Sequence, residues 1–369
     1  MWRQNLQDLK PYWKSEATQD VAGKELNMTE RERVMTAVGH RTPDRCPVFL
    51  GRVDDIEVWH KAFGVNTGDE LRSYFQCDLR KIDYTGARFT EPGKTIWGSA
   101  DNYDAGYGTP RGGFPLQGVM TVKEVEAYRW PTADIFNYDL LTARARGIDT
   151  RFARILTLGF LPPFDTLMDM FGMEEAMVML YEAPEVIEAA LAHIEHFVLA
   201  SMKRLLDLAA DTADFFWLGD DFSTQRGMML SPECWRHFLK PVYKKFFELV
   251  KSYNLKVWFH SCGTFEPVRT DLLDIGIDVW ETVQAHLVGN EPEKLKREFG
   301  HHVTFFGGIN CQQTLPFGTP EDVRKEVRER IRVLGHNGGY ICGPDHSIQG
   351  NMPPENIFAL YDEARSFQP

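Results

Sequence analysis

Residues 257–264 read VWFHSCGT: Val257, Trp258 and Phe259 run straight into His260 and Cys262, with Gly263 behind them. An apolar run of this kind suits a strand covered on both faces, and residues 265–275 read as the helix that follows. The pattern then repeats along the chain. Strands are expected over 153–160 (ARILTLGF), 212–221 (TADFFWLGDD), 256–262, 278–284, 302–309 and 338–343. Helices are expected over 164–182, 184–209, 231–253, 265–275, 291–299, 319–334 and 354–367. Earlier strands at 45–51 and 77–84 bring the count to the eight of a (β/α)8 TIM barrel, so the fold class is α/β.

Outside this alternation stand two segments. Residues 1–44 read as a charged helical arm, in which Thr29 caps a helix with Glu32 three positions on. The single barrel domain then runs over 45–369. Within it, 85–135 is crowded with Gly, Pro, Tyr and Trp, and is read as an aromatic, hairpin-bearing insertion.

Composition narrows the function. Of 369 residues 43% are hydrophobic and 25% charged, and the net charge is -12. Nucleic acid and anionic membrane surfaces need clustered Lys and Arg, so neither is an expected partner. No apolar run approaches a membrane span and the first residues do not form a signal peptide, so a cytoplasmic location is expected. The cysteines at 46, 77, 234, 262, 311 and 342 are scattered, which argues for thiols over a disulfide framework.

Polar residues gather where the strands end: GDD (219–221), HSC (260–262), ETVQ (281–284), GGIN (307–310) and CGPDH (342–346). In a barrel these ends share one face, the face that carries chemistry. His260 and Cys262 lie two apart on an extended strand end and project to one side. Imidazole nitrogen and thiolate are good zinc ligands, and Gly263 permits a sharp turn. Glu281, His346 and Cys342 are candidates to complete a metal site. Glu281 ends an apolar strand, where a carboxylate needs a cation or several donors. Cys342 lies inside its strand, as a packed thiol would. Asp220 and Asp221 point oppositely, so one of them can face the site and orient a ligand histidine. Trp59, Trp97, Phe164, Trp217 and Trp280, with Gln284 at a strand end, are candidates for a substrate wall.

The segments TERERVMTAVGHRTPDRCPVFLG (29–51), GDDFSTQRGMMLSPECWRHFLKPVYKKF (219–246), GGINCQQTLPFGTPEDVRKEVRERI (307–331) and PPENIFALYDEA (353–364) resemble the uroporphyrinogen decarboxylase superfamily. The resemblance implies the same barrel. It also implies one of two chemistries, porphyrinogen decarboxylation or zinc-dependent methyl transfer to or from a corrinoid. The decarboxylases carry an arginine-rich segment near the first strand; here FLGRVDDIEVWH (49–60) holds Arg52 and two aspartates. The methyltransferases carry H-x-C-G, matched by His260 to Gly263. Their third ligand is a cysteine, and His346 stands at its place. The methyltransferase component of ether-cleaving O-demethylases shows the spacing E-x14-E-x20-H, which Glu266, Glu281 and His302 fit, although His302 opens a strand at the end opposite Glu281.

The function implied is transfer of a methyl group from an O-methylated aromatic to the cobalt of a corrinoid on a separate protein. Zn2+ acts there as a Lewis acid for the departing oxygen. Glu281, Asp220 and Asp221 are the candidate proton acceptors. The alternatives are a methylcobamide:thiol methyltransferase and a decarboxylase. A homodimer is expected by analogy alone.

Overall fold

The structure, a computed structural model, describes residues 28–82, 84–89, 95–98 and 113–368. Most of the arm over 1–44 therefore lies outside the described residues. So do 90–94 and 99–112 of the insertion. The chain divides into two compact units. One reaches to Arg80 and adds Asp149–Arg154 and the chain from Asp278 onward; the other comprises Lys81–Ile148 and Ile155–Ile277. The strands are β1 (Leu79–Lys81), β2 (Ala153–Leu156), β3 (Phe215–Gly219), β4 (Ser223–Thr224), β5 (Gly227–Met228), β6 (Lys256–His260), β7 (Val279–Val283), β8 (Thr304–Ile309) and β9 (Tyr340–Pro344).

In the second unit β2, β3 and β6 run parallel in that order, with Phe215 opposite Lys256 and Gly219 opposite His260. All of β3 is buried, as are Val257, Trp258 and Phe259 of β6. Phe215 and Trp258 meet edge to face, with centroids 5.4 Å apart. Burying side chains of this size is worth about 2–3 kcal/mol each, so the parallel strands are held chiefly by their apolar faces. Helix Pro184–Ala209 spans the whole expected range, and a stripe from Val186 to Ala209 is buried. The helix expected over 231–253 is instead broken into Pro232–Cys234, a π turn at Trp235–Leu239 and Lys240–Ser252. Pro241 is the physical reason: it has no N–H to donate and its ring crowds the preceding turn, which widens. The β4–β5 hairpin, which pairs Ser223 with Met228, was not expected. Within the insertion the described residues hold a helix, Val122–Ala127, and one antiparallel bridge between Arg88 and Phe136.

In the first unit β7, β8 and β9 run parallel, from Val279 opposite Thr304 to Ile309 opposite Pro344. Register shifts at β7: Glu281 pairs with Phe306 and Val283 with Gly307, leaving Thr282 as a bulge at φ 72°. The strand expected over 45–51 is corrected. The segment makes one parallel bridge, Val48 to Cys342, and no assigned strand. Cys342 N–H donates to Pro47 C=O at 2.8 Å, and Cys342 C=O accepts from Phe49 N–H at 3.1 Å. Pro47 has no N–H with which to extend that ladder, and on the opposite edge of the segment the Val48 N–H is taken by the Asp78 carboxylate at 2.7 Å. Parallel β/α alternation is therefore what the described residues show, with a bridged segment where the first of eight strands was expected.

Asp78 anchors this unit. It is fully buried and binds Arg33 at 2.6 Å and Arg45 at 2.8 and 2.9 Å. Thr29 and Glu32 form the expected capping box on helix Glu30–Val38, which carries Arg33 inward. No helix among the described residues is long and apolar enough to cross a membrane.

Candidate metal centre

β6 delivers His260 and Cys262 as the strand alternation requires. His260 Nε2 and Cys262 Sγ lie 3.5 Å apart. A tetrahedral zinc with bonds of about 2.0–2.1 Å to nitrogen and about 2.3 Å to sulfur spaces two such ligands about 3.5 Å apart, so the pair fits the ion. Asp221 joins them: its Oδ1 lies 3.7 Å from His260 Nε2 and accepts the Cys262 N–H at 2.9 Å. The Ser223 hydroxyl donates to the Cys262 carbonyl, and Thr264 N–H donates to Thr224 C=O at 3.0 Å. Gly263 is forced twice over. Its φ is 82°, and a Cβ there would sit 2.4 Å from the Thr224 oxygen.

The two aspartates divide their work. Asp220 is wholly buried and accepts from Phe164 N–H at 2.7 Å, Asp165 N–H at 3.2 Å and Tyr243 O–H at 2.6 Å. It thereby caps helix Pro163–Phe171 from a distant point in the chain. Burial pushes its carboxyl up to about 7, against the pull of those three donors. Burial likewise raises the Asp165 carboxyl, helped by the negative charge of Asp220 and Asp221. Asp221 alone reaches the His260–Cys262 pair.

Around His260 stands an aromatic wall. Trp217 lies 5.8 Å and Phe160 6.2 Å from its ring, and 6.1 Å from each other. Gly219 lets them close in, because a Cβ there would meet His260 Cβ at 2.9 Å and Phe160 at 3.0 Å. The Lys81 ammonium sits 3.4 Å over the Trp217 ring. Phe160 and Lys81 were not singled out from sequence. Phe160 ends the expected strand ARILTLGF, and a count of strand-end side chains of every type would have found it; Lys81 lies inside the expected strand CDLRKIDY, where no such count would have. Phe164 is fully buried behind Asp220, and Trp97 packs edge-on against Phe197 at 5.0 Å. Glu266 is exposed in the turn Glu266–Val268.

The remaining expected residues belong to the first unit. Glu281 is half-buried in β7, beside the bulge at Thr282. Gln284 is buried and its carbonyl accepts from Asn290 Nδ2 at 3.3 Å. His346 is half-buried; its Nδ1 lies 3.1 Å from the Ser347 hydroxyl, and its carbonyl accepts from Cys311 Sγ at 3.4 Å. The neighbouring Asp345 accepts from Cys311 N–H at 3.0 Å and lies 3.4 Å from His286 Nδ1, which raises that imidazole above its ordinary range. Cys342 is fully buried, and burial pushes its thiol up to about 12, the behaviour of a packed thiol and not of a ligand. Trp59 is buried, stacks on Phe63 at 6.2 Å and donates to the Asp54 carbonyl at 3.1 Å. Trp280 is buried against Phe305 at 5.9 Å. His302 is exposed in the turn before β8.

Among known proteins, the uroporphyrinogen decarboxylase of Chlorobium chlorochromatii is 23% identical over 198 residues, 51% of this chain and 51% of that protein. The methylated-thiol–coenzyme M methyltransferase of Methanosarcina mazei is 25% identical over 199 residues, 53% of this chain and 49% of that protein. The chain thus spans about half the length of the curated relatives it matches. A solved structure titled methyltransferase from Methanosarcina mazei superposes with a TM-score of 0.64 at 16% identity, covering 91% of this chain and 98% of that one; the two share a fold. Residues 117–367 match the uroporphyrinogen decarboxylase (URO-D) family, and the chain belongs to it.

Proposed function

We propose that the protein is a zinc-dependent methyltransferase that takes a methyl group from an aryl methyl ether and passes it to the cobalt of a corrinoid on a separate protein. The observation that carries this is the 3.5 Å spacing of His260 Nε2 and Cys262 Sγ, steadied by Asp221. His260 and Cys262 would hold the ion, with His346 and Glu281 as the candidates for a further ligand. Three protein ligands with one place left open is the arrangement of a catalytic zinc site. Zinc, when bound, supplies a Lewis acid to the oxygen from which the methyl departs.

The chain's own residues do the rest. Trp217 and Phe160 hold the ring of the donor by face and edge contact. Asp221 accepts the Cys262 backbone N–H at 2.9 Å and lies beside His260, which helps hold the pair in place. Asp220 is committed to Phe164, Asp165 and Tyr243, which leaves Asp221 as the aspartate to accept a proton from a phenol beside the ether. Arg52, the one arginine in the segment where decarboxylases hold substrate carboxylates, is exposed and paired with Asp54 at 2.8 Å. A methylated thiol is the second donor to test, because a relative bears that activity in its name.

The test is methyl transfer to a reduced corrinoid protein in the presence of zinc, with veratrole-type and guaiacol-type ethers and with a methyl thioether as donors. Methyl–cobalt formation with an ether supports the reading. Its absence with every donor removes it, and formation with the thioether alone moves the assignment to thiol chemistry. Metal analysis of His260→Ala accompanies the assay, and full zinc occupancy in that variant refutes the ligand set.

A further inference from the structure

We infer that Asp165 is the proton donor of the site, giving its carboxyl proton to the oxygen from which the methyl departs. This rests on the methyl-ether reading above and adds a catalytic residue to it. Asp165 stands in the first turn of helix Pro163–Phe171, which follows β2, while Asp220 and Asp221 follow β3 and the His260–Cys262 pair ends β6. These are three neighbouring parallel strands, so the groups gather at one end of the sheet. Two contacts tie the helix start to that end. Asp220 accepts the Asp165 N–H at 3.2 Å, and Phe160, five residues earlier, lies 6.2 Å from the His260 ring.

The surroundings of this carboxyl offer it no cation. It is half-buried, and among the described residues its oxygens enter no hydrogen bond or ion pair. The titratable groups around it are Asp169, one turn along the same helix, Asp220 and Asp221 past the end of β3, and Tyr243, which donates to Asp220. Like charges so placed do not all ionise. Asp220 accepts from three donors, which favour its ionised form, so the proton stays on Asp165, which accepts from none. Burial raises the Asp165 carboxyl well above its ordinary range, and the negative charge of Asp220, Asp221 and Asp169 adds to the effect. The pull of the helix N-terminus towards a carboxylate is the smaller influence. A buried carboxylic acid that keeps its proton at neutral pH is a donor in waiting.

The chemistry calls for one, because a phenol ionises only near about pH 10 and its anion leaves poorly. In the step inferred, the methyl–oxygen bond breaks with its electron pair on oxygen. The methyl passes to the cobalt of the reduced corrinoid, and the Asp165 proton moves to that oxygen. Phenol leaves, and the Asp165 carboxylate takes a proton back from water.

The experiment compares the full chain with Asp165→Asn, which keeps the shape and strands no donor. With no methyl donor present, infrared spectra of wild type at neutral pH should show a protonated-carboxyl stretch that is missing from the variant. In zinc-supported methyl transfer to reduced corrinoid protein, the variant should be slowed about a hundredfold on 2-methoxyphenol and by at most about tenfold on 4-nitroanisole, whose phenolate leaves without a proton. Absence of the infrared band, its survival in the variant, or equal slowing on both donors overturns the inference and leaves the methyl-ether reading standing. No transfer from any ether to wild type removes that reading, and this inference with it. The wild-type spectrum can overturn the idea alone, so poor folding of the variant does not rescue it.

Discussion

Asp221 accepts the backbone N–H of Cys262 at 2.9 Å with the same oxygen that lies 3.7 Å from His260 Nε2. The carboxylate comes from just past the end of β3 and grips the end of β6, so one side chain sets the separation of both candidate ligands. By accepting the Cys262 N–H it holds that residue's backbone in place beside His260.

Removing that grip should loosen the ion without removing a ligand. Asp221→Ala is expected to weaken zinc binding by about tenfold to a hundredfold. Asp221→Asn, which keeps an acceptor for the Cys262 N–H, should lose less. Competition against a chromogenic chelator measures both, and unchanged affinity in the alanine variant would show that Asp221 does not position the pair.

Gly263→Ala should be costly for its size. The added methyl meets the Thr224 carbonyl at 2.4 Å, on a backbone at φ 82°. Strain of this kind is worth about 1–3 kcal/mol, and the overlap with backbone adds to it. Urea unfolding should show a lower midpoint with an unchanged slope, while Gly227→Ala, whose Cβ meets nothing within 4 Å, isolates the cost of the positive-φ backbone alone.

Asp220→Ala strands three donors, the Tyr243 hydroxyl and the N–H groups of Phe164 and Asp165. Leaving buried donors unsatisfied costs about 1–3 kcal/mol each, so a loss of roughly 3 kcal/mol or more is expected. Asp220→Asn should recover part of it. If both variants melt with wild type, the cap on helix Pro163–Phe171 contributes nothing.

Acid should expose the Arg33–Asp44 pair. Burial alone would raise the Asp44 carboxyl, but the Arg33 hydrogen bonds at 2.6 and 2.9 Å more than offset it and hold the group below its ordinary 3.8. A lowered folded value means the stabilisation is present above 3.8 and fades as pH falls through the lowered value. Asp44→Asn should therefore be destabilised at neutral pH, and its deficit should shrink towards about pH 2. Urea midpoints across that range measure it; a constant deficit would assign the loss to packing.

Much of the architecture was written in periodicity. β6 is legible because Val257, Trp258 and Phe259 have no use except burial on two faces, and helix Pro184–Ala209 because its apolar stripe is continuous. What stayed hidden depended on partners distant in the chain. Nothing in GDD says which aspartate turns towards Tyr243, since that follows from where helix Lys240–Ser252 packs. Pro47 looked like a strand residue in an apolar run, yet it has no N–H with which to extend the pairing to Cys342. Lys81 was not singled out, because a sequence does not reveal that an indole lies beneath it.

The extra residue in β7 has an effect beyond its own torsion angle. Thr282 makes two residues share one rung opposite Phe306 and Gly307, so odd and even positions exchange sides within a single strand. Glu281 and Gln284, three apart, then come to the same surface, which an unbroken pleat forbids. Excising Thr282 would restore the ordinary count and swap every later side chain of that strand end between wall and interior.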